Sequence, residues 1–380
     1  MFQISNLQLG IAFSAYGAVA MLSYFPGGPI ADRFGARSLM SLALLFTAVG
    51  GLYRNDSRTG GAVVAVRVLG NHVDSAVLGR PHASDTVLGS TSSQGLAFGL
   101  LDSGRGFVAA GIGSISVYLY AWLLPADTAE IVFDDRVEAF KTIILFYTVL
   151  TATAAALIWA VLPKREAQIQ VKRNAALLTG VVTTLRMPVI WLQALIIVCA
   201  YAAYKGLDDV SLYAREVLGM DEVSAAYTST LSMWIRPIAA ISAGLIADRF
   251  RASLMTAFTF LTLTFGCLVI ASGLLPSAPP ALFFITIIAT SMAVFALRGL
   301  YFAVMNEGKI PIQYTGTAVG IVSAVGYMPD IFMGPLMGVL LDAWLGETGH
   351  RLLFLVLAGF ALIGTFASCG YYWAAKKSRG

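Results

Sequence analysis

Gly28-Pro-Ile-Ala-Asp32-Arg33-Phe34-Gly35-Ala-Arg37-Ser-Leu-Met40 returns later in the chain as Gly244-Leu-Ile-Ala-Asp248-Arg249-Phe250-Arg251-Ala-Ser-Leu-Met255. The step from Asp32 to Asp248 is 216 residues, and a second pair, Gly95-x-Ala97-x-Gly99 and Gly316-x-Ala318-x-Gly320, is displaced by 221. Small residues four apart suit close helix packing in lipid, so the second pair alone would say little. Two nearly equal offsets together indicate a duplicated bundle, a common plan among membrane carriers.

Composition places that bundle in a membrane. Of 380 residues, 58% are hydrophobic and 12% charged, against about 45–50% and about 25% in a soluble domain. A mean hydropathy of +0.77 excludes an ordinary aqueous globule, a disordered chain, collagen and a coiled coil. The net charge of +4 is small and dispersed, so nucleic acid is not an expected partner. Cys199, Cys267 and Cys369 each sit in an apolar run with no zinc or redox spacing, as packing residues do.

Apolar runs at 7–31, 39–53, 95–124, 140–162, 189–207, 223–247, 254–275, 281–304, 317–341 and 352–375 predict ten helices. The 39–53 run would be about 22 Å long, short of the roughly 30 Å hydrocarbon core. Lys and Arg are retained on the cytoplasmic side. One set of loops carries 13 of them, including Arg33, Arg37, Lys164, Arg165, Arg249, Lys309 and Lys376, and the other set carries 4, Arg136, Lys141, Arg215 and Arg351. The first set and the C-terminus are therefore expected inside. Residues 1–6 carry no charged n-region and no cleavage site, so a signal peptide is not expected.

The second half places two helices before Asp248, but the first half places one before Asp32, so a first helix is expected to be missing. At the position of the second half's 281–304 helix, the first half has residues 54–90, with Arg54, Asp56, Arg58, Arg67, His72, Asp74, Arg80, His82 and Asp85. Nine ionisable groups are too costly for a span. An inserted loop is the plain alternative. A shifted reading frame is the other: if Val68-Leu69-Gly70-Asn71 is written GTN-CTN-GGN-AAY, reading one base later permits Phe, Trp, Gly and Ile. The expectation is an out-of-frame stretch replacing the fourth helix, visible on resequencing as an added or lost base near each end.

Gly28-x-x-x-Asp32-Arg33-x-Gly35-x-Arg37 resembles the loop motif between the second and third helices of the major facilitator superfamily. Gly244-x-x-x-Asp248-Arg249 resembles its weaker copy after the eighth helix, with Arg251 in place of the glycine. The resemblance implies two six-helix bundles, a central solute site and alternating access. It is loosely similar to sugar, organic-anion and nitrate/nitrite-type members, without the paired glycine-rich nitrate signature. The motif carboxylates and arginines could latch the bundles through a charge network. Ordinary positive-inside charge explains Arg37 and Arg251 individually, but not the repeated tetrapeptide.

Ionisable groups inside spans are functional candidates by default. Asp102 and Arg105, three apart, share a helix face and suit either an ion pair or a solute site. Arg236, next to Pro237, is central in its span and calls for an anionic solute group or a carboxylate from another helix. Arg298 lies nearer an inner end and could snorkel. Asp330, in Tyr327-Met-Pro-Asp330, could take protons or pair with Arg236 or Arg298. Lys205 with Asp208 and Asp209 is expected to form a solvated cluster at a helix exit. Tyr201, Tyr204, Trp234, Tyr301 and Tyr327 could line a cavity, although packing and interface belts use such residues too. No nucleophile elbow, zinc pattern, dinucleotide fingerprint or P-loop is present, and Gly111–Gly113 reads as packing.

The expected protein is an all-α polytopic membrane protein of the major-facilitator-like two-bundle fold, its first helix missing and its fourth disrupted. Residues 1–162 form an incomplete N-terminal bundle, 163–187 a cytoplasmic linker and 188–380 a six-helix C-terminal bundle. The expected function is secondary active transport of a small anionic organic solute, with proton coupling. The candidate binding residues are Arg105, Arg236, Arg298 and Tyr204, with Asp102 and Asp330 as proton or ion-pair carboxylates. The latch would comprise Gly28, Asp32, Arg33, Gly35, Arg37, Gly244, Asp248 and Arg249. Neither metal nor cofactor is expected, and the protein should be a monomer in the cell (inner) membrane. The alternatives are an inactive remnant and, behind it, a multi-pass membrane enzyme, which would need clustered catalytic groups at one face.

Overall fold

The computed structural model describes residues 5–33, 36–53, 94–125, 131–162, 176–308 and 310–377, and all regular structure among them is helical. Residues 54–90, with the expected frame shift, lie outside the described residues, as does Gly35. Each of the ten apolar runs is helical. In chain order the helices are α1 (Asn6–Arg33), α2 (Ala36–Tyr53), α3 (Gln94–Leu123), α4 (Phe133–Val161), α5 (Ala176–Leu185), α6 (Pro188–Gly206) and α7 (Val210–Glu216). They continue with α8 (Glu222–Arg249), α9 (Ala252–Ala271), α10 (Pro280–Ala303), α11 (Ile312–Gly326), α12 (Pro329–Ala343) and α13 (Glu347–Lys377). Eight described segments are long and apolar enough to cross a membrane, and Asn6–Leu22 and Arg37–Leu52 are shorter apolar helices.

Local chemistry explains where helices start and stop. α4 begins seven residues before the apolar run at 140, because Asp134 and Asp135 occupy its first turn. The Asp135 carboxylate accepts the Val132 amide at 3.1 Å, and acidic groups suit the positive end of a helix. α5 lies within the stretch read as linker. It ends before Pro188, whose ring pushes Met187 into an extended conformation (φ −82°, ψ 116°). The single run at 317–341 is two helices: Pro329 has no N–H to continue the ladder, and the chain breaks at Tyr327 and Met328. α8, by contrast, runs unbroken through Pro237.

The described chain forms two compact units. The first holds residues 11–33, 36–53, 116–125 and 131–162, with α2 packed along α4. There the Arg37 guanidinium lies 4.5 Å from the Trp159 ring centre. The second holds residues 5–10, 94–115, 176–308 and 310–377. Its core joins α6, α9, α10 and α13 through Ile197, Phe260, Leu263, Leu297 and Leu357, all buried. Ala194, Ala200, Ala202, Ala203, Ala239 and Ala240 let backbones approach, as expected where lipid leaves no hydrophobic force between helices. Several hydroxyls are satisfied within their own helices: Thr256 donates to Ala252 O and Ser368 to Gly364 O.

The first turns of α1 belong to this second unit and lie against α12. Gly10 and Gly334 face each other backbone to backbone, and a Cβ on either would collide with the other. Asp342, near the end of α12, accepts the free amides of Asn6 (3.1 Å) and Leu7 (2.8 Å). A carboxylate from a distant helix thus caps α1.

Candidate functional site

α6 presents Tyr201, Tyr204 and Lys205 on one face, since residues three and four apart are neighbours on a helix. Asp330 meets this face from the first turn of α12, where the helix dipole favours a carboxylate. Its Oδ1 lies 2.7 Å from Lys205 Nζ, and its Oδ2 accepts the Tyr201 hydroxyl at 3.0 Å. Asp330 therefore pairs with Lys205, not with the expected Arg236 or Arg298. Lys205 is correspondingly part of a shielded pair, with 23% of its side chain exposed, and not of a solvated exit cluster. Asp208, one turn on, acts on Lys205 electrostatically.

α10 supplies the second cation. The Arg298 guanidinium lies 4.1 Å from the centre of the Tyr204 ring and 5.8 Å from that of Tyr201. Tyr327, from the break between α11 and α12, packs on Tyr201 with ring centres 5.0 Å apart. Arg236 approaches from α8, 5.8 Å from the Phe295 ring, which is in turn 6.3 Å from Tyr204. Gly106 makes room for it, because a Cβ there would stand 2.8 Å from Arg236 Cγ. Arg236, Arg298, Tyr204 and Asp330, which the sequence singled out, thus gather around Phe295 and Tyr201. A guanidinium stacked on an aromatic face keeps its N–H groups in plane for an acidic partner.

Arg105 is exposed, and the side chain of Asp102, its expected partner, lies outside the described residues. Of the latch, Arg37 packs on Trp159, Gly244 is buried and Arg249 is exposed. The side chains of Gly28, Asp32, Arg33 and Asp248 lie outside the described residues.

Sequence reasoning also missed a cluster at the start of α13. Asp209, expected in solvent, is buried with His350: His350 Nδ1 is 2.8 Å from Asp209 Oδ2, and Nε2 is 3.1 Å from Glu216 Oε2. His350 stands 141 residues from Asp209, so no local spacing could have paired them. Among the described residues no three His, Cys, Asp or Glu side chains are grouped to hold a metal ion.

Long apolar helices, a partly buried ion pair at a helix break and an internal repeat define a membrane carrier. The family model of the Major Facilitator Superfamily matches residues 1–332, and the chain belongs to that superfamily. It is a secondary-transport protein and not an enzyme. Two Escherichia coli K12 proteins are similar along nearly its whole length. The inner membrane protein YqcE is 24% identical over 369 residues, 95% of this chain and 84% of that protein. The inner membrane protein YihN is 26% identical over 376 residues, 97% of this chain and 87% of that one. The transporter FucP in its outward conformation shares the fold with a TM-score of 0.65 at 16% identity, covering 97% of this chain and 91% of that one. The nucleoside transporter NupG does so with a TM-score of 0.65 at 13%, covering 97% and 92%.

Proposed function

We propose that this chain carries a small anionic organic solute across the inner membrane by alternating access, coupled to protons. The observation that carries this reading is the Arg298 guanidinium stacked on Tyr204 beside the Lys205–Asp330 pair. Three cations, Lys205, Arg236 and Arg298, stand around one group of aromatic rings, and guanidinium groups are the cations best matched to a carboxylate or similar acid group. Asp330 suits the coupling role: both its oxygens are engaged by donors, and adding a proton would release Lys205 and the Tyr201 hydroxyl together. A solved structure sharing the fold is described as a fucose:proton symporter. Proton coupling is thus chemistry this architecture accommodates in a relative. The chain works as a monomer in this reading, with the C-terminus in the cytoplasm.

The test is uptake by proteoliposomes containing the purified chain, with labelled hexuronates and short dicarboxylates set against their neutral analogues. Uptake of an anion should fall at least about tenfold in Arg298→Ala and in Arg236→Ala, the loss of a charged hydrogen bond of about 1.5–3 kcal/mol, while insertion is unchanged. Uptake undiminished in both variants, or confined to neutral solutes, would refute the reading.

A further inference from the structure

A cavity of about 750 Å³ in the second unit lies along the first three turns of α8, walled by Ser114 of α3 and by Phe284 of α10. Such a volume is in the range of small-molecule sites. Among the described residues it shares no lining residue with the Lys205–Asp330–Arg298 cluster. Its chemistry also differs: among the described residues the lining contains no Lys, Arg or His, and Asp221 is its one carboxylate.

The hydrogens of the polar lining groups are largely committed elsewhere. The Ser114 hydroxyl donates to Ala110 O at 2.8 Å, and the Thr228 hydroxyl to Ala225 O at 2.6 Å. The indole N–H of Trp234 donates to Ser114 Oγ at 2.9 Å. These oxygens therefore offer the cavity lone pairs and few protons. An anion, which only accepts, finds little here to bind.

Asp221 does not turn the cavity into a cation site. It is the N-cap of α8, its Oδ1 accepting the amides of Val223 (2.9 Å) and Ser224 (3.0 Å). The Ser224 hydroxyl and these amides hold its carboxyl below the usual range. Its charge is spent on the positive end of the helix. What remains is a row of acceptors on α3 and α8 beside the rings of Trp234 and Tyr227, both about two-fifths exposed (39% and 45%). Several separated acceptors next to apolar ring faces match a ligand with several hydroxyl donors on a compact ring, whose C–H face can lie on an indole.

We propose that this cavity is a second solute site, distinct from the ionic cluster, that binds a neutral polyhydroxylated ring of the hexopyranoside type. Trp234 provides the stacking face, and Ser114 and Thr228 accept hydroxyl hydrogens. The site goes beyond the anion-transport reading and does not depend on it.

The test is tryptophan fluorescence of the full-length chain in nanodiscs, titrated separately with methyl hexopyranoside, the matching hexuronate and choline. The hexopyranoside should give a saturable quench that disappears in Trp234→Phe and whose Kd rises about tenfold in the Ser114→Ala, Thr228→Val double variant, two hydrogen bonds being lost. Both variants should insert and melt in one cooperative transition, somewhat below the wild-type midpoint because each loses the Trp234–Ser114 hydrogen bond. Arg298→Ala should leave the hexopyranoside Kd unchanged, which separates this site from the ionic cluster. No saturable response to hexopyranoside, tighter binding of choline or hexuronate, an unchanged Kd in the double variant, or loss of hexopyranoside binding in Arg298→Ala would each overturn the proposal.

Discussion

Asp330 shows how one shielded carboxylate is satisfied in this protein. Lys205 supplies charge, Tyr201 a neutral donor and the first turn of α12 a favourable dipole. The pair is partly buried, with 23% and 16% of its side chains exposed, so removing one partner strands the other at a cost below the roughly 3–5 kcal/mol of a fully buried pair. Lys205→Ala should therefore lower the thermal midpoint of the purified chain more than Lys205→Ala with Asp330→Ala together. A double-mutant cycle on thermal melting checks it, and simple additivity would show that the pair is not coupled. Asp330→Asn keeps the shape but cannot carry the proposed proton, so a pH gradient should no longer drive anion uptake in that variant, as proteoliposome assays with and without the gradient would show. The residue types of this cluster were legible in the chain, because ionisable groups within apolar runs stand out. Their pairing was not. Lys205 and Asp330 are 125 positions apart, and sequence proximity made Asp208 and Asp209 look like the natural neighbours.

Among the elements, helix existence followed from apolar length, whereas helix ends followed from capping and proline chemistry. The acidic start of α4 and the break before Pro329 are both local effects that a count of apolar residues overlooks. The contact between α1 and α12 is of another kind. Gly10 and Gly334 approach as closely as backbones can, and the Asp342 carboxylate caps α1 just beyond them. Gly334→Leu forces extra volume into that contact, with an overpacking cost of about 1–3 kcal/mol. The variant should melt lower, and the amides of Asn6 and Leu7 should exchange faster with solvent than in the wild type. Hydrogen-exchange mass spectrometry reads both amides in the N-terminal peptide, and unaltered protection would show that the cap does not depend on close approach.

For the whole molecule, positively charged loops set the expected orientation, 13 Lys and Arg on one set against 4 on the other. A cysteine placed by Ser378→Cys should be labelled by an impermeant maleimide only after spheroplasts are opened. Labelling of intact spheroplasts would invert the proposed topology. The two compact units do not follow the two halves of the chain residue for residue, since 5–10 and 94–115 pack with the C-terminal helices. A repeat in sequence records how the chain was built, while packing records which surfaces fit.

The sequence by itself determined the class of this protein: apolar runs of spanning length, a repeated Ala-Asp-Arg-Phe and skewed basic loops identify a duplicated membrane carrier. These are one-dimensional properties, set by the bilayer's thickness and by the high cost of charge within it. Only the tertiary structure decided which charges meet. It paired Lys205 with Asp330, placed Arg298 over Tyr204, enclosed His350 between Asp209 and Glu216, and set Ser114 beside Trp234. Those partners lie more than a hundred residues apart along the chain for all pairs except Arg298 with Tyr204, at 94. The energy of such a contact depends on distance and burial in three dimensions, and neither is written in the order of residues.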